Sequence, residues 1–202
     1  MGTDVNAEKI PRRNLVRALG LPAAIALGLA TRARAQGPAL RATPSCGTEP
    51  TRPQTEGPYF KPASPQRASL LEPGMAGTRI AVVGRVVTID CRPAPRALID
   101  VWHADARGEY DNAGFTLRGH QFTDENGQYR LETVMPGVYP GRTRHIHVKV
   151  QAPRQPVLTT QLYFPGEAQN RRDGLFDSAL LVAMRETSDG KVAEFDFVLR
   201  TM

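Results

Sequence analysis

The feature that most limits the fold of this chain is a series of short strand-like runs separated by turns. These runs are RIAVVGRVVTID, ALIDVWHAD, QFTDENGQYRLETV, RHIHVKVQ, TTQLYFP and AEFDFVLR. They are rich in Val and Ile or alternate polar and apolar residues, which is typical of half-buried β-strands. No stretch after residue 35 keeps a long helical period. The pattern predicts an all-β fold, an antiparallel β-sandwich with long loops and an extended N-terminal arm.

Three finer expectations follow from the same runs. Asn126-Gly127 stands between two extended segments and predicts a β-hairpin. In the last run, Phe195, Phe197 and Leu199 fall on one face. The best candidate for a helix is RRDGLFDSALLVAMRE, and a short turn is the alternative there.

Charge is unevenly distributed along the chain. The sequence carries 26 Lys and Arg against 20 Asp and Glu, a formal net charge of +6. Residues 1–35 hold six of the basic and two of the acidic side chains, so +4 of this excess lies there and +2 in the remainder. The overall charge therefore does not indicate a nucleic-acid partner, because most of it belongs to the leader.

Residues 1–35 have the order of parts of an export signal: a basic PRRNLVR, an apolar run over 19–30, and ARAQ at the cleavage position. Arg12 and Arg13 resemble a twin-arginine signal, although Pro11 replaces the usual Ser or Thr. A frayed amphipathic helix is the alternative. The apolar run is shorter than the ~20 residues of a membrane span. We therefore expect a periplasmic or secreted protein without stable membrane insertion after processing.

The rest of the chain divides into an arm at 36–60 and a β-domain at 61–202. The beginning of the arm is rich in Pro, Thr, Gly and Arg and has no periodicity. The two cysteines, Cys46 and Cys91, can form a disulfide in an oxidising compartment, and two separate thiols are the alternative. The bridge would tie the arm to the domain.

Two of the four histidines lie in one short run, YPGRTRHIHV. Because side chains alternate along a strand, His145 and His147 point the same way and Ile146 points to the other face. Two histidines so placed can converge on one ion, while a solvent-facing polar pair is the alternative. Tyr139 precedes a Pro-Gly turn that can fold it back toward this face, and Tyr110 lies in a loop at a strand end, where functional residues concentrate.

These residues fall within segments that resemble the intradiol ring-cleaving dioxygenases, in particular the single-domain protocatechuate 3,4-dioxygenase type. The matching stretches are QTEGPYF, DVWHADARGEY, RGHQFTDENGQYRLETVMPGVYPGRTRHIHVKV and TTQLYF. The patterns W-x-A-x-A-x-G-x-Y and P-G-x-Y-x-x-R-x-x-H-x-H occur in the family's order and spacing. The resemblance covers most of residues 54–164.

The resemblance implies a ferric ion held by two tyrosinates and two histidines, which fall on Tyr110, Tyr139, His145 and His147. It implies that Arg142 stabilises negative charge on the substrate ring. The residues it implies for substrate binding are Gly57, Pro58, Tyr59 and Gln161, and Tyr163 falls with Gln161 in the surroundings of the site. Val138 replaces a bulkier aromatic residue of the family, which changes the expected size of the pocket.

The implied reaction consumes a catechol-type substrate and O2 and opens the ring between the two hydroxylated carbons, giving a cis,cis-muconate-type diacid. Tyr139 would leave the metal and accept a proton. Phenolate ligands fit Fe(III), since tyrosine, with a pKa of ~10, needs a strong cation to ionise at neutral pH. No second subunit type is implied, and a homo-oligomer is left open.

Other functions remain open from the residues alone. A zinc or copper protein would more usually use His, Cys or carboxylate ligands. A ferrous site with two histidines and one carboxylate would need Glu109 or Asp111, which flank Tyr110. A non-catalytic alternative is an exported transthyretin-like β-sandwich that acts as a binding module.

Overall fold

A computed structural model describes residues 49–188 and 190–200 of the chain. The predicted signal at 1–35, the first part of the arm and Cys46 lie outside the described residues. Export and the Cys46–Cys91 bridge therefore stay predictions. The described part of the chain contains no helix long and apolar enough to cross a membrane.

Nine strands make up the regular structure of the described residues. They are β1 Arg79–Thr88, β2 Leu98–Trp102, β3 Arg118–Phe122, β4 Gln128–Val134, β5 His145–Gln151, β6 Leu158–Tyr163, β7 Ala183–Thr187, β8 Gly190–Glu194 and β9 Phe197–Leu199. Two 3₁₀ turns, Ala168–Arg171 and Ser178–Leu180, lie between β6 and β7.

The strands form two sheets, which confirms the predicted all-β sandwich. One sheet has the order β4-β1-β8-β7, with β9 also paired to β1, and the other has the order β3-β2-β5-β6. Most pairs are antiparallel. The exceptions are β8 and β9, which both run parallel to β1 at successive stretches of its length.

The core lies between the sheets and is built from alternate residues of the strands. It includes Val82 and Val86 of β1, Ile99 and Val101 of β2, Leu131 of β4, Ile146, Val148 and Val150 of β5, Leu162 of β6, and Phe197 and Leu199 of β9. Burying each such side chain contributes ~1.5–3 kcal/mol relative to exposure. Since Ile146 must enter this core, alternation sends His145 and His147 to the opposite face of β5.

Two local predictions need correction or refinement. The prediction of a β-hairpin at Asn126-Gly127 is wrong, because β3 pairs with β2 in one sheet while β4 pairs with β1 in the other. The turn itself is present, since Gly127 has a φ of 72° and its N–H donates to Asp124, but it carries the chain from one sheet to the other.

The candidate helix at 171–186 takes the alternative form of short turns, followed by β7. Asp173 and Asp177 accept hydrogen bonds from the backbone N–H groups of Leu175 and Ala179, two residues further on. Such local bonds compete with helix formation.

The described part of the arm, 49–60, forms no helix or strand and crosses the outer face of the β3-β2-β5-β6 sheet. Gln161 and Thr160 of β6 donate to the carbonyl oxygens of Thr55 and Arg52. The N–H of Gln54 donates to the carbonyl of Thr159 on the same strand. Further along, Gly57 lies against His147 and Phe60 packs on Trp102, so the arm covers part of the face that carries the histidines.

Candidate metal centre

The two histidines of β5 converge as their spacing predicts. Their Nε2 atoms are 3.2 Å apart, and His145 Nδ1 lies 2.7 Å from the carbonyl oxygen of Thr143, to which it donates. This bond leaves the lone pair of His145 on Nε2. Two metal ligands at ~2.1 Å that subtend a right to tetrahedral angle are about 3.0–3.4 Å apart. The observed separation falls within this range, so the two rings could bind one ion.

Both imidazoles are held neutral by their surroundings. Burial lowers the pKa of His145 to about 4 and holds the pKa of His147 well below its ordinary value. The charged form loses more solvation on burial than the neutral form does. At neutral pH each ring is therefore neutral and keeps a lone pair on one of its two nitrogens.

Tyr110 brings an oxygen to the same point. It lies in the loop after β2, and its hydroxyl oxygen is 3.3 Å from His145 Nε2. Burial raises the pKa of Tyr110 well above the ordinary value of a phenol. This tyrosine would therefore ionise near neutral pH only beside a strong cation.

Tyr139 reaches the site from the loop before β5. Its ring is edge-on to that of Tyr110, with centroids 6.2 Å apart, and its hydroxyl oxygen lies 3.0 Å from that of Tyr59. Tyr59, from the arm, also stacks on Tyr110 at 4.3 Å. The hydrogen bond with Tyr139, together with burial, raises the pKa of Tyr59. The arm residue thus contacts both candidate tyrosine ligands.

Two glycines allow the loops that carry Tyr110 and Tyr139 to approach each other. A Cβ on Gly108, whose φ is +89°, would lie 2.3 Å from the carbonyl oxygen of Val138, and one on Gly137 would lie 2.2 Å from the nitrogen of Gly108. The carbonyl of Asp105 accepts from the N–H groups of both glycines. These close contacts fix the distance between the two tyrosine loops.

Arg142 lies beside the histidines in a hydrogen-bond network. Its Nε donates to Asp173 at 2.9 Å, and its Nη2 donates to Gln161 Oε1 at 2.6 Å and to Tyr163 at 3.4 Å. Burial raises the pKa of Tyr163 to about 12, so it remains a neutral phenol.

The predicted substrate-binding residues take different positions. A Cβ on Gly57 would lie 3.3 Å from His147 Cε1, so this part of the arm closes directly on the histidine. Pro58 is exposed in the turn that follows. Gln161 is fully buried, and its amide already bonds to Thr55, Arg142 and Tyr163. The geometry favours a role for Gln161 in holding Arg142.

Three residues near the site were not among the predicted site residues. Trp102 stacks on His147 with centroids 4.9 Å apart and planes 5° apart. Arg118 is buried and donates to the carbonyl oxygens of Tyr59 and Asp111, and Asp173 pairs with Arg142. Trp102 is the first residue of the W-x-A-x-A-x-G-x-Y pattern, but its contact with His147 follows only from the register that sets the two residues opposite each other.

Carboxylates do not offer an alternative ligand set here. Among the described residues, no group of three or more His, Cys, Asp and Glu side chains could hold a metal ion. Asp111 accepts from the N–H groups of Ala113, Gly114 and Thr116, and Glu109 pairs with Arg107. The oxygen donor that lies beside the two histidines is instead the hydroxyl of Tyr110.

Comparisons with known proteins identify the family of this chain. A family model described as "Dioxygenase" matches residues 55–201. The protocatechuate 3,4-dioxygenase beta chain of Burkholderia cepacia is 32% identical over 61% of this chain and 65% of its own length. Catechol 1,2-dioxygenase of Acinetobacter baylyi is 29% identical over 60% of this chain and 49% of its own length. The chain thus spans about half to two thirds of these relatives.

A solved structure is more similar. The dioxygenase domain of a dioxygenase carbohydrate-binding protein fusion from Streptomyces sp. SirexAA-E is 54% identical, with a TM-score of 0.74. The match covers 76% of this chain and all of that domain. These relatives do not favour the alternative of a non-catalytic binding module. From its fold, the family match and these relatives, the chain belongs to the intradiol ring-cleavage dioxygenase family.

Proposed function

We propose that this chain is a non-haem Fe(III) enzyme that cleaves a catechol-type ring between its two hydroxylated carbons. The observation that carries the proposal is the convergence of Tyr110 Oη, His145 Nε2 and His147 Nε2, with 3.3 and 3.2 Å between neighbouring donor atoms. Tyr139 would be the fourth protein ligand. The overall reaction adds both atoms of O2 to the catechol and yields a cis,cis-muconate-type diacid.

The residues fit a ferric ion by their chemistry. Phenolate is a hard oxygen donor, and two phenolates would offset two of the three positive charges of Fe(III). Two neutral imidazoles complete a set of four protein ligands. Burial raises the pKa of Tyr110 when no cation is present, so a bound ion must polarise this phenol strongly before it loses its proton. A trivalent ion does this better than a weakly polarising ion.

When bound, the ferric ion would supply the Lewis acidity that favours deprotonation of a catechol and activates its ring toward dioxygen. The protein supplies the remaining functions. A proton released by the substrate can be held at Tyr139 Oη, where the hydroxyl of Tyr59 lies 3.0 Å away and shares it. The fixed positive charge of Arg142 stabilises negative charge that develops on the ring.

The arm excludes water from one side of the centre. Gly57 approaches the ring of His147, and Tyr59 covers the face of Tyr110. Lys149, on the same face of β5 as the histidines, pairs with Glu56 of the arm and lies 4.3 Å from the centroid of Phe60. Exclusion of water strengthens the electrostatic effect of each charged group in the site.

The test is oxygen uptake by the iron-loaded protein with catechol, protocatechuate and hydroxyquinol, with the products identified by mass. We expect one of these rings to give a diacid whose mass exceeds that of the substrate by two oxygen atoms. Absence of ring-cleaved product from all three, with iron bound stoichiometrically, would contradict the proposed function. We further propose export of the enzyme, which is supported by the leader sequence at 1–35 alone.

A further inference from the structure

The guanidinium of Arg142 is held along two of its three edges. Nε lies 2.9 and 3.2 Å from the two oxygens of Asp173, and Nη2 is bonded to Gln161 and Tyr163. Within residues 49–188 and 190–200, no hydrogen bond involves Nη1, and 17% of the side chain remains exposed. One edge of the cation is therefore left for a ligand that enters the site.

Asp173 is itself fixed by the backbone. Its Oδ2 accepts from the N–H of Thr143 at 2.8 Å, and its Oδ1 accepts from the N–H of Leu175 at 2.9 Å. The side chain is only 1% exposed. Burial opposes its ionisation, but the hydrogen bonds from Leu175, Thr143 and Arg142 outweigh burial and lower the pKa of Asp173. It is a rigid carboxylate.

This ion pair differs from the others in the described part of the chain. Arg52–Asp177 leaves its arginine mostly exposed, at 68%, and Arg144–Glu167 leaves both side chains partly exposed, at 24% and 27%, whereas Asp173 is 1% exposed. Exposed pairs orient their partners weakly, because water competes for both charges. Arg142–Asp173 combines burial, two short contacts and a carboxylate anchored to two backbone segments.

We infer that Asp173 is a positioning residue for catalysis, which holds the Nε edge of Arg142 so that the Nη1 edge faces the substrate ring. The inference rests on the proposed function of Arg142. A cation stabilises charge in a transition state efficiently only when it is oriented beforehand, since reorientation during the reaction costs free energy. In the competing role, Asp173 would only hold the loop 165–177 to Thr143.

A double-mutant cycle separates these roles. With iron bound, Asp173→Asn should lower kcat by about 10- to 100-fold, with a smaller change in KM, because a displacement of ~1 Å can cost that much. In the Arg142→Leu background, the same change should alter kcat by less than about twofold, since its effect passes through Arg142. Asp177→Asn, in the same loop and also paired with an arginine, is the matched control and should leave kcat unchanged.

A second measurement does not depend on turnover. In the gallium(III)-loaded protein, whose ion is diamagnetic, the Nε–H proton of Arg142 should exchange slowly with solvent. Its NMR signal should lose this protection in Asp173→Asn and keep it in Asp177→Asn. If Asp173→Asn does not fold, Asp173→Glu replaces it, because the added methylene displaces the carboxylate while keeping its charge.

The outcomes distinguish the inference from the proposed function. An equal fold-loss from Asp173→Asn in both backgrounds, or an Nε–H proton that exchanges rapidly in the wild type, would overturn the positioning role while the proposed function stands. A wild type that binds iron but cleaves no catechol would overturn the proposed function and this inference with it.

Discussion

Gly108→Ala tests whether the contact between the two tyrosine loops determines the geometry of the metal centre. The new Cβ would lie 2.3 Å from the carbonyl oxygen of Val138, whereas real Cβ contacts essentially never fall below 3.0 Å. The loops must therefore separate by at least about 0.7 Å. Because Tyr110 and Tyr139 lie one or two residues from this contact, their oxygens should shift by a similar amount.

The magnitude follows from two separate costs. An alanine at positive φ costs ~1–2 kcal/mol of stability. The separation of the loops adds an effect on the site, since misplacement of catalytic groups by ~1 Å can lower the rate by about 100-fold. Gly141→Ala is the matched control, because Gly141 has a similar φ of +78° and no atom within 4 Å of its added Cβ.

The assay compares both variants with the wild type in iron content, visible absorption and oxygen uptake. We expect Gly141→Ala to lose stability in thermal unfolding but to keep most of its turnover. Gly108→Ala should lose more stability, because its contact is with backbone, and also roughly 100-fold in turnover, with an altered tyrosinate-to-iron absorption band. Equal turnover in the two variants would refute the argument that this contact sets the positions of the tyrosines.

Three further predictions concern charge and covalent structure. Arg142→Leu should keep iron and colour but lose about 100- to 1000-fold in turnover by oxygen electrode, and turnover like the wild type would remove Arg142 from the reaction. Hydrogen bonds from the backbone N–H groups of Gly114 and Thr116 hold the pKa of Asp111 well below its ordinary value. The ionised Asp111 side chain therefore stabilises the fold fully at a pH above the ordinary pKa of aspartate. This stabilisation is lost as the pH falls below that ordinary pKa toward the lowered one. Thermal unfolding between pH 7 and about pH 2 should therefore show a steeper acid loss in the wild type than in Asp111→Ala, and parallel curves would contradict this. Intact mass before and after reduction and alkylation should show one Cys46–Cys91 disulfide in exported protein, and two thiols alkylated without reduction would disprove it.

The parts of the fold that the sequence could predict are those set by local alternation. Ile146, Val148 and Val150 had to enter a core, and this requirement alone turned His145 and His147 to the other face. The pairing of strands depends on contacts far apart in the chain. The turn at Asn126-Gly127 has the residues of a hairpin, yet β3 and β4 join different sheets.

The site divides in the same way. The residues proposed to bind metal or substrate lie in short motifs, so their types and spacing were visible in the sequence. The residues that orient them come from distant segments: Trp102 reaches His147 across a strand pair, and Asp173 reaches Arg142 from a loop 31 residues away. No local pattern marks Asp173, and the pattern that begins at Trp102 does not show which residue its ring contacts.

The central claim is that two tyrosines and two histidines of this domain hold ferric iron. It is tested most directly by metal analysis and visible spectroscopy of the wild type beside His147→Ala. We predict one iron per chain and a red to burgundy tyrosinate-to-Fe(III) absorption in the wild type, both lost in His147→Ala, while thermal unfolding shows that the variant still folds. A folded His147→Ala protein that retains stoichiometric iron and the same absorption would contradict the assignment.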